Sequence, residues 1–204
     1  MESITSKEEL LRSKLIDFYK LTENLNILLP IILQQTRLSL RSLDWFVTNY
    51  CKKNNINYAV PNGNSGGIIT EIRYFPFKGY KSQLKAYSKK FCDPFCRRER
   101  VIFDYQNNTI VPFNNTIKMN HKEYIVTTIG QLNFFKFAIQ ENIINYAIDN
   151  ITEIEADMNG TLKIRESEKK NTFMEVKSIK RKELSIPGNK SVHITHISAV
   201  IKFI

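Results

Sequence analysis

The sequence predicts an α+β fold: a single domain of two or three helices packed on a mainly antiparallel sheet. Three observations lead there. Two segments, around residues 39–53 and 130–150, place apolar side chains at helical steps behind capping residues. Short runs of β-branched and aromatic residues lie at 56–60, 68–75, 101–105, 110–113 and 123–127. Turn-forming residues join them: Pro61 to Gly67, Asn107–Asn108 and Asn114–Asn115. With 204 residues, 42% of them hydrophobic and 25% charged, the chain is long enough to bury a core and too apolar for global disorder.

Along the chain, Ser6-x-x-Glu9 forms a capping box, and Leu10, Leu11, Leu15, Phe18 and Tyr19 make a helical stripe to about Lys20. Leu25 to Leu38 is apolar without a clear period. It reads as an extended segment or as a helix with Pro30 in its first turn. Ser39 caps the next helix, with Asp44 early and Lys52 and Lys53 late, as the helix dipole favours. The runs 56–60 and 68–75 read as a hairpin around the Pro61–Gly67 turn. Ser82 caps a short helix to Lys90, and Asp93-Pro94 opens a further turn through Arg100. Thr128-x-x-Gln131 is a second capping box. It opens a helix to about Asn150 that is apolar nearly all round, which makes it the core helix, with Phe135 and Ile139 buried.

Ile151 to Asn159 is acidic and is expected to be a helix that Gly160 ends. Thr161 to Lys182, rich in charge of both signs, reads as a connection or an exposed hairpin. Pro187-Gly188 is a turn, and Val192 to Phe203 alternates like a strand. These readings divide the chain into an N-terminal helical extension at 1–24, a core at 25–160, a charged excursion at 161–190 and a strand at 191–204 that returns to the core sheet.

The strongest functional signal is charge. Of a net charge of +10, a surplus of six lies between Lys78 and Arg100. Lys78, Lys81, Lys85, Lys89, Lys90, Arg97, Arg98 and Arg100 face only Asp93 and Glu99 there, and Tyr80, Tyr87, Phe91 and Phe95 are threaded between them. Lys81, Lys85 and Lys89 fall on one helical face at four-residue steps. Cations interleaved with rings suit a surface that neutralises phosphates and offers ring faces to bases, with Tyr87 as the stacking ring. The plainer reading is a solvated helix whose aromatic residues, Tyr87 and Phe95 among them, are core, and whose arginines pair with Glu153 to Asp157.

Other signatures fail on inspection. Three cysteines argue against a disulfide scaffold and for a reducing, intracellular compartment. The N-terminal residues lack the layout of a signal peptide, and the apolar run Ile27 to Leu33 is too short to span a bilayer. Gly63-Asn64-Ser65-Gly66-Gly67 resembles the nucleophile signature of chymotrypsin-like proteases. It carries Asn64 in place of the Asp, and no His precedes His121, so Ser65 reads as a turn residue. Cys92 and Cys96 have tolerable zinc spacing, but His193 and His196, three apart on a strand, would point to opposite faces. Glu175-Val176-Lys177, on an expected strand, is half of a metal-nuclease motif for which Asp157 is the available partner. No Gly-rich loop has the spacing that cradles phosphate.

Arg41 to Tyr50, Tyr80 to Lys90, Asp93 to Arg100 and Gly130 to Phe135 together resemble a family of small basic proteins of giant, nucleocytoplasmic large DNA viruses, over roughly residues 30–160. The resemblance implies a viral setting, in a virus factory of the host cytoplasm or in the virion, and carries no activity with it. The resulting expectation is a non-enzymatic protein without cofactor or metal that binds DNA or RNA in genome packaging or transcription. A virion scaffold that sets the basic patch on an acidic viral protein is the alternative, and a metal-dependent nuclease the second.

Overall fold

The computed structural model describes residues 6–62, 70–95, 99–114 and 123–178. The chain forms two compact units, Met1–Thr161 and Leu162–Ile204. The first is α+β, as the sequence predicts. The expected strand at Val192–Phe203, the Pro187-Gly188 turn, Ser65 with its neighbours, Cys96, His193 and His196 lie outside the described residues.

Helix α1 (Lys7–Tyr19) starts at the capping box read from the sequence: Ser6 Oγ accepts from the Glu9 amide, and the Glu9 carboxylate accepts from the Ser6 amide. Within the span expected to be an extension, α1 places Leu11, Leu15 and Tyr19 in the core. The buried Tyr19 hydroxyl donates to the Leu132 carbonyl at 2.7 Å, which meets the need of a buried polar group for a partner. Helix α2 (Thr22–Ile32) takes up the ambiguous apolar run as far as Ile32, with Pro30 near its end instead of in its first turn, and the rest of the run to Leu38 is non-helical.

The segment capped by Ser39 is helical throughout but not uniform. It runs as α3 (Leu40–Trp45), a π-helical turn (Phe46–Tyr50) and α4 (Cys51–Lys53). The wider turn leaves Phe46 stacked on Tyr146 with centroids 5.5 Å apart, and Tyr58 stacks on the same ring at 5.0 Å.

The strands fall where their β-branched runs predict. β1 (Tyr58–Asn62) and β2 (Thr70–Tyr74) form the antiparallel hairpin, with Tyr58 opposite Tyr74. A second sheet has the order β4-β3-β5, built from β3 (Arg100–Asp104), β4 (Thr109–Pro112) and β5 (Tyr124–Thr128), all antiparallel. Helix α5 (Pro76–Cys92) lies between the two sheets in sequence.

The expected long core helix is two helices: α6 (Ile129–Gln140) and α7 (Ile143–Asp149). Asn142, in the left-handed region at φ 55°, breaks them apart, and its side-chain oxygen accepts from Asn145 Nδ2 at 2.6 Å. α6 is central. Leu132, Phe134, Phe135 and Ala138 are fully buried, and the helix packs against α1, α2, α5, α7 and β5. Phe135 is buried as predicted, whereas Ile139, at the end of α6, is only half-buried.

Helix α8 (Ile151–Ser178) corrects the sequence reading twice. Gly160 does not end it, and the charged residues beyond continue as helix in place of a connection or hairpin. Glu175 and Lys177 are therefore helical, and the strand that the nuclease half-motif requires is absent there. Among the described residues, no helix is long and apolar enough to cross a membrane.

Candidate nucleic-acid interface

Helix α5 builds the basic surface. Its start follows from Phe75 in extended conformation and Pro76 in the first turn, where a missing N–H costs nothing. A glycine one turn in makes room for the Tyr74 ring: a Cβ at Gly79 would stand 2.0 Å from the Tyr74 hydroxyl, so the ring would have to move. The inner face carries Tyr80, buried against Phe134 in an edge-to-face contact at 5.6 Å. The outer face carries Lys78, Lys81 and Lys85, all exposed, at the three- and four-residue steps that put them on one side. Lys78 Nζ lies 4.3 Å from the Phe75 ring centre and Lys81 Nζ 4.9 Å from that of Phe77, so the rings hold both ammonium groups close to the surface.

The face does not extend to Lys89. Ser88 interrupts the helix at φ 63°, ψ 170°, a region that residues other than glycine rarely enter. Lys7 of α1 donates to the Ala86 carbonyl at 2.7 Å, next to this break. Lys89 is exposed beyond the break, so the stripe at four-residue steps ends at Lys85. Lys90 is committed elsewhere. It pairs with Glu99 at 2.8 Å and Glu8 at 3.5 Å, and the hydrogen bond to Glu99 raises its pKa. Tyr87 is half-buried with Lys7 Nζ 5.9 Å from its ring centre, so its ring is partly taken up by α1. Arg97 and Arg98 lie outside the described residues.

Among the described residues, the acidic run of α8 pairs with groups other than these lysines. Glu153 accepts from the Tyr50 hydroxyl at 3.0 Å, Glu155 pairs with Arg37 at 3.0 Å, and Asp157 takes the Trp45 indole N–H at 3.0 Å and the Lys53 ammonium. No ion pair of Lys78, Lys81, Lys85, Lys89 or Arg100 occurs among the described residues.

Past α5, the chain turns sharply. The Asp93 carboxylate accepts from the Phe95 amide at 2.8 Å, so Asp93-Pro94 makes a tight turn. This turn sits on the start of α6. A Cβ at Gly130 would lie 2.8 Å from the Lys90 carbonyl oxygen and 3.1 Å from that of Asp93, and Asn133 donates to the Phe91 carbonyl at 2.7 Å. Burial raises the Cys92 thiol pKa to about 12, with the Asp93 charge adding to it. Next to the turn is an open groove of about 370 Å³, lined by Leu40, Pro94, Phe95, Arg100, Val126 and Gln131, among others. Phe95 is 47% exposed at its edge. Sequence reading found Phe95 only as one aromatic among four. Nothing in its spacing sets it apart from Tyr80, which is core. Among the described residues, no three His, Cys, Asp or Glu side chains cluster to hold a metal.

Comparison with known proteins gives a lineage. The chain is 38% identical over 146 residues to the uncharacterized protein L507 of Acanthamoeba polyphaga mimivirus, a giant virus; the match covers 71% of this chain and 51% of that protein. The chain thus spans about half the length of this relative. No solved structure matches it. The family match reaches well beyond the span that carries the resemblance in sequence: residues 2–200 match DUF7197, a family of unknown function, and the chain belongs to that family.

Proposed function

We propose that this protein binds nucleic acid without acting on it chemically, through the outer face of α5 and the turn that follows. One observation carries the reading: Lys78, Lys81 and Lys85 share an exposed helical face and have no carboxylate partner among the described residues, while the acidic run of α8 is occupied by other groups. A face of unpaired cations on a fixed helix suits a row of phosphates, whose condensed counterions are released on contact. Lys89, beyond the break at Ser88, and Arg100 are further exposed cations outside this face and without an ion pair among the described residues, whereas Lys90 is spent on Glu8 and Glu99. The setting we favour is viral, in genome packaging or transcription, within a cytoplasmic virus factory or the virion.

The test is the salt dependence of binding. Filter binding of the wild type should show log K falling linearly with log salt on both DNA and RNA. A Lys78→Ala, Lys81→Ala, Lys85→Ala variant should lower that slope by roughly 2 to 3, at about 0.7–0.9 for each phosphate contact, and weaken unrelated sequences alike. An unchanged slope in a folded variant sinks the reading. Tight binding of acidic protein with no binding of nucleic acid would put the scaffold role in its place.

A further inference from the structure

We infer that the groove beside the first turn of α6 is a subsite for a single-stranded nucleotide, with Phe95 as the ring on which a base stacks and Arg100 as the cation that meets an adjoining phosphate. This rests on the nucleic-acid reading above and adds to it the strandedness of the ligand and the identity of the stacking residue. At about 370 Å³ the groove lies in the range of roughly 300–1,000 Å³ in which proteins hold small ligands.

Its chemistry is divided in the way a nucleotide is. Phe95 and Val126, 47% and 43% exposed, offer apolar surface, and Arg100, exposed and without an ion pair among the described residues, offers charge. The Thr127 hydroxyl donates to Gln131 Oε1 at 2.6 Å, so the Gln131 amide hydrogens are committed to no described residue and can donate to a base edge. Single exposed apolar residues are common and mean little alone. Phe95 differs because its backbone is held: Asp93 caps its amide, Asn133 ties down the Phe91 carbonyl, and Gly130 lets α6 abut the Lys90 and Asp93 carbonyls. A ring on a fixed turn loses little entropy when a base settles on it.

Duplex would not use this groove. Its bases stack on each other, and their faces are not available to a protein ring; duplex would meet only the lysine face of α5. An acidic peptide would be held by Arg100 and the lysines and would gain little from Phe95. Tyr87, the stacking ring expected from the sequence, is partly covered by α1.

The experiment measures fluorescence anisotropy of labelled oligo(dT) and of a blunt hairpin duplex, on the full chain at fixed salt. Phe95→Ala should weaken the single strand roughly 5- to 150-fold, equivalent to the ~1–3 kcal/mol that a stacked base contributes, and weaken the duplex less than about twofold. Phe95→Trp should restore single-strand affinity. Phe95→Leu, which keeps apolar bulk without a π-face, should not, and it guards against a loss that comes from altered folding. Arg100→Ala should lower the single-strand salt slope by roughly 0.7. Equal losses on both ligands, or none, overturn the subsite while a reduced slope in the triple lysine variant keeps the broader reading. If the wild type binds neither ligand in a salt-dependent way, both fall. An acidic peptide that competes with oligo(dT) and is indifferent to Phe95→Leu makes the groove a protein-docking surface and overturns the proposal.

Discussion

At the scale of single residues, most capping was legible and backbone strain was not; Ser82, expected to cap a helix, lies inside α5, where its hydroxyl donates to the Lys78 carbonyl at 3.2 Å. Ser6, Ser39 and Thr128 each accept from an amide three residues on, as their side chains predict. Even here one detail differs: Gln131 does not reach back to the Thr128 amide but takes the Thr127 hydroxyl, so the second capping box is half formed. Ser88 gives no warning in sequence, because a serine in a run of helix-compatible residues reads as helix. Its φ of 63° and ψ of 170° follow from tertiary demands: Cys92 and Phe91 must reach the start of α6 while Lys7 takes the Ala86 carbonyl. A residue with a Cβ held in this region costs about 1–3 kcal/mol. Ser88→Gly should therefore stabilise the protein by on the order of 1 kcal/mol, less than the full strain because glycine also loosens the unfolded chain. Urea melts decide it; a destabilised variant means that the serine side chain contributes more than the strain removes.

At the scale of elements, strands were easier to read than helix ends. β-branched runs separated by Asn pairs marked β3, β4 and β5 to within a residue or two, and the hairpin of β1 and β2 followed from its turn cluster. Asp104, buried beneath the Asn107–Asn108 turn, secures it by accepting from the amides of Gln106 and Asn107 at 3.1 and 3.0 Å. Helix α8 was misread because its mixed charge suggested an exposed hairpin, although Glu, Lys and Arg are all good helix formers. Gly160 was misread as a stop because glycine often sits just past a helix end. It lies instead inside α8, and a Cβ there would meet nothing within 4 Å. Gly160→Ala should then raise stability by about 0.5–1 kcal/mol, the helix-propensity difference, with a matching gain in helical circular dichroism. No gain, or a loss, would show that the helix is interrupted at this point. The candidate site was half legible for a related reason. Sequence spacing put Lys81, Lys85 and Lys89 on one helical face; it showed neither the break at Ser88 that ends the face at Lys85 nor the early helix start at Pro76 that adds Lys78. It does not show which distant carboxylates return to them, hence Lys90.

At the scale of the whole molecule, the negative charge of half-buried Asp44 is favoured by a net charge of +10 and opposed by its burial. Burial, reinforced by the nearby Asp93 charge, pushes the Asp44 pKa up to about 6 from its usual 3.8. The sign follows directly. The folded state holds the Asp44 proton more tightly than the unfolded chain does, so the stability linked to it is full below pH 3.8 and is lost as pH rises through about 6. Asp157 works the other way. Its hydrogen bond from Lys53 lowers its pKa, so its contribution is present at neutral pH and disappears only as the solution becomes more acid than 3.8. Burial also raises the Glu141 pKa above its usual 4.5, so the wild type loses stability to two carboxylates as pH rises, and the difference between Asp44→Asn and the wild type isolates the Asp44 step. Asp44→Asn removes the step, but above pH 6 it also takes one negative charge from a molecule already strongly positive, which adds to general repulsion. The local term should win at physiological salt, because distant surface charges are screened beyond about 8 Å whereas a carboxylate half removed from water next to Asp93 is not. Asp44→Asn should accordingly match the wild type below about pH 4, pull ahead between pH 4 and 6, and hold a constant lead above. Thermal melts at 0.15 M salt across this range test it. A variant less stable than the wild type at pH 7.5 would show that the negative charge of Asp44 serves the basic body more than its burial harms it.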